Sequence, residues 1–468
     1  MKCAFPLTMA LVLGACTLEP KFVAPLPAIP TSWPIGDRAL KAGEAALPSL
    51  GYRDVFRDPR LQALIGRGLQ NNQDVRLAVA NIAAARGLYR VERAAHLPSI
   101  DASADISVRK NSTFNNNFVR GGAGSSTQYS VDIGASAFEI DLFGRVRSLS
   151  NAALNSYFAT EAAARAVRLT LVADIAEAYF TLATDRSLLA VARDTVRSAE
   201  RSVMLTRARL KGGIAPRTDL RQAETVLATA QSDVANLSTL VEQDRNALVL
   251  LIGGPVSDSE QPPSIEAVES LVAQVPAGID STILMRRPDV VESEYRLRAA
   301  NAQIGAARAA FFPRISLTGL AGIASRALGD LFSGGAFNYS VTPGVALPIF
   351  DAGANKGNLA VARAQYDGAI ASYQMTIQRA FRDVADALAR RATIADQAAA
   401  QLRLEAAAAD TAMLTDARYR GGVASFLESL DAQRSLYAAR RSVASTRLVR
   451  ANNLVSLYRA IGSDPGLD

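Results

Sequence analysis

The sequence predicts an α+β membrane protein in which one structural unit occurs twice. Three observations lead to this prediction. Segments that alternate apolar and polar residues occur in two pairs, long proline-free segments follow each pair, and short motifs recur at offsets of 209 to 215 residues. The predicted divisions are a signal peptide at 1–15, a proline-rich extended arm at 16–55, a first repeat at 56–255, a linker at 256–287, a second repeat at 288–462 and a tail at 463–468.

The first sixteen residues predict secretion followed by lipid anchoring. Lys2 is followed by an apolar run and then by small residues at the expected cleavage site, which is the organisation of a secretory signal peptide. The run Leu-Gly-Ala-Cys that ends at Cys16 resembles the cleavage motif of bacterial lipoproteins, in which this cysteine becomes the acylated first residue. More than one acyl chain gives stable anchoring, and Thr17 permits transfer to the outer membrane. The alternative is an ordinary signal peptide in which the cysteine is incidental.

Four strands are predicted, two in each repeat. They lie at about 99–109, 128–140, 314–324 and 337–350. Apolar residues occupy every second position in each segment, which indicates a strand with one face exposed to water. About ten residues of such alternation suit a strand of an outer-membrane β-barrel. A soluble β-sheet is the alternative, but it would need a second layer for which the sequence offers no further strands.

Each repeat continues into a long helical hairpin. The segments 144–209 and 353–420 contain no proline, and at about 1.5 Å per residue each would form a helix on the order of 100 Å long. From 220 to 241 the apolar residues are spaced alternately three and four apart, which is the seam of a coiled coil. Glycine pairs end both long helices, so the hairpins are expected to turn sharply at about 211–219 and 420–426.

Four strands per chain predict an oligomer. An unpaired strand edge in lipid costs several kcal/mol per polar group, and the smallest closed barrels have about eight strands. Two copies would give eight strands with almost no lumen, whereas three copies would give twelve strands around a hollow tube. The sequence therefore favours a homotrimer with a 12-stranded β-barrel that continues into a barrel of helices and contacts outer-membrane lipid.

Composition excludes several other classes. The 51 basic and 44 acidic residues leave a net charge of +7, which is mild for 468 residues, so nucleic acid is not an expected partner. One histidine and two cysteines cannot build a zinc site of the usual kind. The sequence contains no nucleophile elbow or phosphate-binding loop, and His96 is expected to be structural. No catalytic residue, metal or cofactor is predicted.

Several motifs resemble the outer-membrane factor family, especially its NodT/OprM-like lipoproteins, which are related to TolC. The resemblance is carried by MRRPDV at 285–290, AANAQIG at 299–305, FPRI at 312–315, EIDLFGR at 139–145 and LPIFDAG at 347–353. It implies the exit duct of a tripartite efflux system, with a periplasmic adaptor and an inner-membrane pump, commonly of the resistance-nodulation-division class, as partners. The duct would conduct substrates passively.

The resemblance also implies a gate at the periplasmic end. Leu427 would form an apolar ring, and Glu428 and Asp431 would form acidic rings one helical turn apart. The alternative is a solvated acidic face on an ordinary coiled coil. Candidates for ion pairs that hold the gate are Arg209, Arg217 and Arg420. The residues expected to dock the adaptor, rather than merely to form turns, are Gly212, Gly213, Asp219, Gly421, Gly422 and Val423.

Two other functions remain open at this point. A soluble coiled-coil scaffold would account for the helices but not for four strands with one wet face. A type I protein-secretion duct is closer, although such ducts in this superfamily often lack the lipid anchor. The transported cargo is not predicted, and drugs, solvents, aromatic acids and metal ions all remain possible.

Overall fold

The computed structural model describes residues 17–25, 29–30, 51–110, 125–272, 281–462 and 464. Cys16 and the predicted signal peptide lie outside these residues. The helices and strands are α1 (Tyr52–Val55), α2 (Pro59–Asn71), α3 (Gln73–Ala94), β1 (Asp101–Lys110), β2 (Ser125–Ile140), α4 (Arg145–Lys211), α5 (Arg217–Ile252), α6 (Ile265–Val268), α7 (Pro288–Ala309), β3 (Arg314–Ser325), β4 (Phe337–Ala346), α8 (Ala354–Arg420) and α9 (Phe426–Ile461). This architecture of many helical residues and one small sheet agrees with the predicted class.

The chain divides into two compact units, which are described separately. The first unit contains Met1–Pro25, Asn81–Thr160 and Ser293–Tyr373, and the second contains Leu26–Ala80, Glu161–Glu292 and Gln374–Asp468. Helices α4 and α8 have 67 residues each, and the helices that follow them, α5 and α9, have 36 residues each. Among the described residues, no helix is both long and apolar enough to cross a membrane.

The first unit holds an antiparallel sheet in the order β1-β2-β3-β4. A β-bulge interrupts the pairing of β2 with β3, where Ala137 has a positive φ of 56° and donates its N–H to Thr318 Oγ1 at 3.0 Å. Strand β4 ends at Ala346, four residues before the predicted end, because its partner β3 begins at Arg314, which lies opposite Ala346. The apolar residues that alternate along the strands stay exposed, among them Ile106, Val108, Ile133, Phe337, Tyr339, Val341 and Val345.

Acidic side chains cap the two long helices where they leave the sheet. Asp141 accepts a hydrogen bond from the backbone N–H of Arg147 at 2.8 Å at the start of α4. Asp351 accepts from the N–H groups of Gly353 and Asn355, both at 2.9 Å, at the start of α8. Because these bonds satisfy backbone donors that lack a partner inside the helix, they fix where each long helix begins.

In the second unit, Arg287 explains part of the MRRPDV motif. Its side chain is largely buried, forms two hydrogen bonds to Asp289 at 3.0 and 2.8 Å, and donates to the carbonyl oxygen of Ala460 at 2.8 Å. A cation at the last carbonyl groups of α9 is favoured by the helix dipole. A side chain at Gly462 would lie 2.9 Å from Arg287 Cγ, so this motif closes the C-terminal end of α9.

Candidate gate and docking tips

Both predicted tips form the same kind of turn. At the end of α4 the N–H of Gly213 donates to Leu210 O and that of Ile214 donates to Arg209 O, both at 3.0 Å. At the end of α8 the same two bonds occur three and five residues apart, from Gly422 to Tyr419 O and from Val423 to Arg418 O. This is the Schellman arrangement, which needs a left-handed residue. Gly213 and Gly422 supply it, with φ of +75° and +76°.

A buried apolar cluster joins the two hairpins just behind these turns. Tyr419, only 5% exposed, packs against Phe426 with ring centroids 5.3 Å apart, and Leu430 lies beside them. The first hairpin contributes Val203, Leu220 and Ala223. Sequence reasoning missed the roles of Tyr419 and Phe426, although the aromatic residue on each side of the Gly-Gly turn was a visible signal. Because all six residues belong to one chain, the two tips are held together within it.

The three predicted gate residues lie on the opposite face of α9. Leu427 is 58% exposed, and Glu428 and Asp431 are also exposed, whereas Phe426 and Leu430 are buried. Ser425 caps the helix: its Oγ accepts from the backbone N–H of Glu428 at 3.3 Å and donates to the Glu428 carboxylate at 3.2 Å. The arrangement places one apolar and two acidic side chains on a single exposed surface at the start of the helix. We call Leu427, Glu428 and Asp431 the gate face.

The three arginines predicted to pair at the gate occupy different environments. Arg209 donates to the carbonyl oxygens of Tyr419 and Arg420, at 3.2 and 3.4 Å, and its guanidinium lies 4.4 Å from the centre of the Tyr419 ring. Arg420 pairs with Asp416 on its own helix at 2.7 Å. Arg217 is exposed at the first position of α5. Arg209 therefore links the first tip to the second through main-chain carbonyls and an aromatic ring.

The remaining predicted docking residues lie at the surface of the turns. Val423 is 74% exposed, and Ile214 occupies the corresponding position in the first tip with a similarly open side chain. Gly212 and Gly421 are also exposed, and Asp219 is half-buried in the first turn of α5. The structure thus brings Gly212, Gly213 and Asp219 together at one tip and Gly421, Gly422 and Val423 at the other.

Polar contacts reinforce the hairpins farther from the tips. The hydroxyl of Tyr437 on α9 donates to Asp233 on α5 at 2.6 Å, and burial together with this carboxylate raises the pKa of Tyr437 to about 12. Burial also raises the pKa of Asp244 on α5 to about 7, and the neighbouring Asp185 on α4 adds to that shift. In the described part of the chain, no group of three or more His, Cys, Asp or Glu residues could hold a metal ion.

The fold and the two tips are shared with a family of known proteins. The family model for outer membrane efflux protein matches residues 64–254 and 281–463. The chain belongs to this family of outer-membrane efflux channels, and it is an outer-membrane component of an efflux system. The matched ranges include both tips and the gate face.

Individual relatives match over nearly the whole chain. The antibiotic efflux pump outer membrane protein ArpC of Pseudomonas putida is 41% identical over 97% of this chain and 93% of its own length. The cation efflux system protein CusC of Escherichia coli K12 is 35% identical over 98% of both. The open-state outer-membrane channel MtrE of Neisseria gonorrhoeae superposes with a TM-score of 0.85 at 36% identity, covering 96% of this chain and 98% of that one.

Proposed function

We propose that three copies of this chain form the outer-membrane exit duct of a tripartite efflux system. The observation that carries the proposal is the single four-stranded sheet, whose edge strands β1 and β4 meet no further strand within the described residues. An edge in lipid must be paired, so β4 of one copy would pair with β1 of the next. Three copies give twelve strands, and their paired 67- and 36-residue helices would continue the tube as two structural repeats per chain.

The duct would conduct passively what its partners deliver. The relatives are named as parts of antibiotic, toluene and cation efflux systems, which favours an inner-membrane pump and a periplasmic adaptor as partners over the alternative of protein secretion. A pump of the resistance-nodulation-division class fits the resemblance of the sequence. The exposed tips, with Ile214 and Val423 at their ends, offer apolar contacts to an adaptor.

The gate face would line the narrow periplasmic end of the duct. Threefold symmetry would place six carboxylates from Glu428 and Asp431 around one axis, beside a ring of Leu427. Closely spaced carboxylates attract cations, so a resting channel would be narrow, cation-selective and blocked by multivalent cations. Because the opposite face of α9 is buried against Tyr419, opening would require the hairpin tips to move as a body.

Planar-bilayer recordings of the reconstituted full-length chain test this gate. The double variant Glu428→Gln with Asp431→Asn should lose most cation selectivity and multivalent block, because the charge is removed while the shape is kept. Leu427→Ala should widen the pore. The matched control is Asp410→Asn, an exposed carboxylate on α8, which should leave both properties unchanged. If the double variant retains full selectivity and block, these carboxylates are only a solvated helix face.

The acylated Cys16 would anchor each copy in the outer membrane. The supporting observation is the motif that ends at this residue, since Cys16 lies outside the described residues. Mass spectrometry of the mature chain should find acylated cysteine as its first residue. An unmodified Thr17 or a retained Met1 would contradict this anchor without affecting the channel.

A further inference from the structure

The segment Thr17–Phe22 lies along one face of α7. The residues beneath it are spaced three, four and three apart, which places them in a single row on the helix. We call this row, Arg298, Asn301, Gly305 and Arg308, the arm seat. Two of its members belong to the AANAQIG motif, which the gate and the tips leave unexplained.

Two hydrogen bonds hold the backbone of the arm. The side-chain amide of Asn301, which is 2% exposed, donates to the carbonyl oxygen of Pro20 at 2.8 Å. The guanidinium of Arg308 donates to the carbonyl oxygen of Leu18 at 3.3 Å. Because both acceptors are main-chain atoms, these two hydrogen bonds do not depend on the side chains of Leu18 and Pro20.

Gly305 allows the arm to approach the helix closely. A Cβ at this position would lie 2.8 Å from Glu19 Cα and 2.6 Å from Ser148 Oγ on α4, so an alanine cannot be accommodated without a shift. Glycine inside a helix costs about 1 kcal/mol relative to alanine, and here it makes room for another backbone. The carboxylate of Glu19 also accepts from the Asn151 amide on α4 at 3.2 Å.

An aromatic and cationic stack closes the far end of the seat. The Arg298 guanidinium lies 5.0 Å from the centre of the Phe22 ring and 5.5 Å from that of Tyr295. Glu294 orients this guanidinium through two hydrogen bonds, at 3.1 and 2.6 Å. Tyr295 in turn packs against Phe158 on α4 with ring centroids 5.2 Å apart. Phe22 therefore ends a stack that is anchored in the unit.

We propose that the arm seat, rather than the acyl chains, holds the arm on the chain. The contrast with the acyl chains rests on the proposed acylation of Cys16. Between Leu18 and Phe22 the arm meets two hydrogen-bond donors, a close approach at Gly305 and the Arg298 guanidinium. These contacts lie within one short segment, so they are expected to hold it whether or not the chain is acylated.

A nitroxide label at Val23→Cys reports whether the arm is seated. Val23 is exposed beside Phe22, and the acylated Cys16 leaves the introduced cysteine as the reactive thiol of the mature chain. In lipid vesicles, the full-length chain should give an immobilised spectrum. Gly305→Ala should lose the immobilised component, whereas the matched control Ser148→Ala should keep it. The double variant should also lose it, because the clash with the Glu19 backbone remains.

Two further variants separate the seat from the lipid and from folding. A chain secreted with a non-lipoprotein signal peptide and carrying Cys16→Ala should keep the immobilised spectrum. Phe22→Ala changes only the arm and should mobilise the label even if Gly305→Ala assembles poorly. If Cys16→Ala mobilises the label, or if Gly305→Ala and Phe22→Ala leave it immobile, the seat does not hold the arm. Absence of acylation in mass spectrometry would contradict the anchor but leave the seat result unchanged.

Discussion

Tyr419 shows at the residue scale how one side chain joins two turns. Its ring packs on Phe426, its carbonyl oxygen accepts from Arg209, and the Arg209 guanidinium lies over its face. The carbonyl groups at the end of α8 have no partner within the helix, so an arginine there supplies both hydrogen bonds and favourable charge. The contact couples the end of α8 to the end of α4.

We expect Arg209→Ala to loosen this coupling. The lost cation–π contact and hydrogen bonds amount to about 1–2 kcal/mol at a partly exposed site. The proposed gate would then leak, so cells carrying the variant should become more sensitive to large antibiotics. Arg209→Lys should rescue only part of the effect, because the ammonium group cannot reproduce the planar guanidinium. The control is Arg207→Ala, which removes an exposed ion pair with Glu224; equal sensitivity in both variants would contradict the role of Arg209.

The two glycines of the second tip should differ in their tolerance of a side chain. Gly422 has a φ of +76°, whereas a Cβ on Gly421 would make only ordinary contacts at 3.5 Å. Gly422→Ala should therefore cost about 1–2 kcal/mol in turn stability and reduce drug resistance, with oligomer formation preserved. Hydrogen exchange at the start of α9 and drug-resistance assays measure the two effects. If Gly421→Ala reduces exchange protection and drug resistance as much as Gly422→Ala does, the positive φ of Gly422 is not the cause of the loss.

At the element scale, the hairpin of α4 and α5 contains a pair of neighbouring carboxyl groups. Burial raises the pKa of both Asp185 and Asp244, that of Asp244 to about 7. A carboxyl group whose pKa is higher in the folded state keeps its proton there while the unfolded chain releases it. The stability of the hairpin should therefore fall as pH rises from about 4 to about 7.

Asp244→Asn should remove this pH dependence, because the amide resembles the protonated acid. Relative to wild type, the variant should protect the amides of α5 from hydrogen exchange better at pH 8 than at pH 5. Comparing the two proteins at each pH cancels the intrinsic pH dependence of exchange. Glu242→Gln, an exposed change on the same helix, is the control. If the ratio of exchange protection between the variant and the wild type is constant across pH, Asp185 and Asp244 do not share a proton.

The elements also show what the sequence could and could not predict. The glycine pairs located both turns, and the seam residues Leu220, Ala223, Ala230 and Leu237 are buried on α5 as their spacing indicates. The partner of Arg209 was not predictable, because a backbone carbonyl and an aromatic face leave no signature in charge spacing. The arm seat was missed for the same reason: its hydrogen bonds go to main-chain atoms about 280 residues away.

At the scale of the whole molecule, the two faces of the sheet allow a direct test of the proposed β-barrel. Apolar side chains such as Val341 on β4 remain exposed in the single chain, and the neighbouring Thr342 points to the other face of the strand. In a closed barrel the face that carries Val341 would contact lipid, and the face that carries Thr342 would line the lumen. The same strand therefore offers a matched pair of positions for one charged substitution.

We expect Val341→Arg and Thr342→Arg to have opposite consequences. A charge facing lipid costs about 2–4 kcal/mol near the bilayer centre, and three copies would carry it, so Val341→Arg should strongly reduce the yield of membrane-inserted oligomer. Thr342→Arg should insert normally, because its charge would lie in water, and it should lower cation conductance in planar bilayers. Native gel electrophoresis of outer-membrane extracts measures the first effect. Equal yields for the two variants would mean that the strand does not separate lipid from lumen, and the 12-stranded barrel would have to be abandoned.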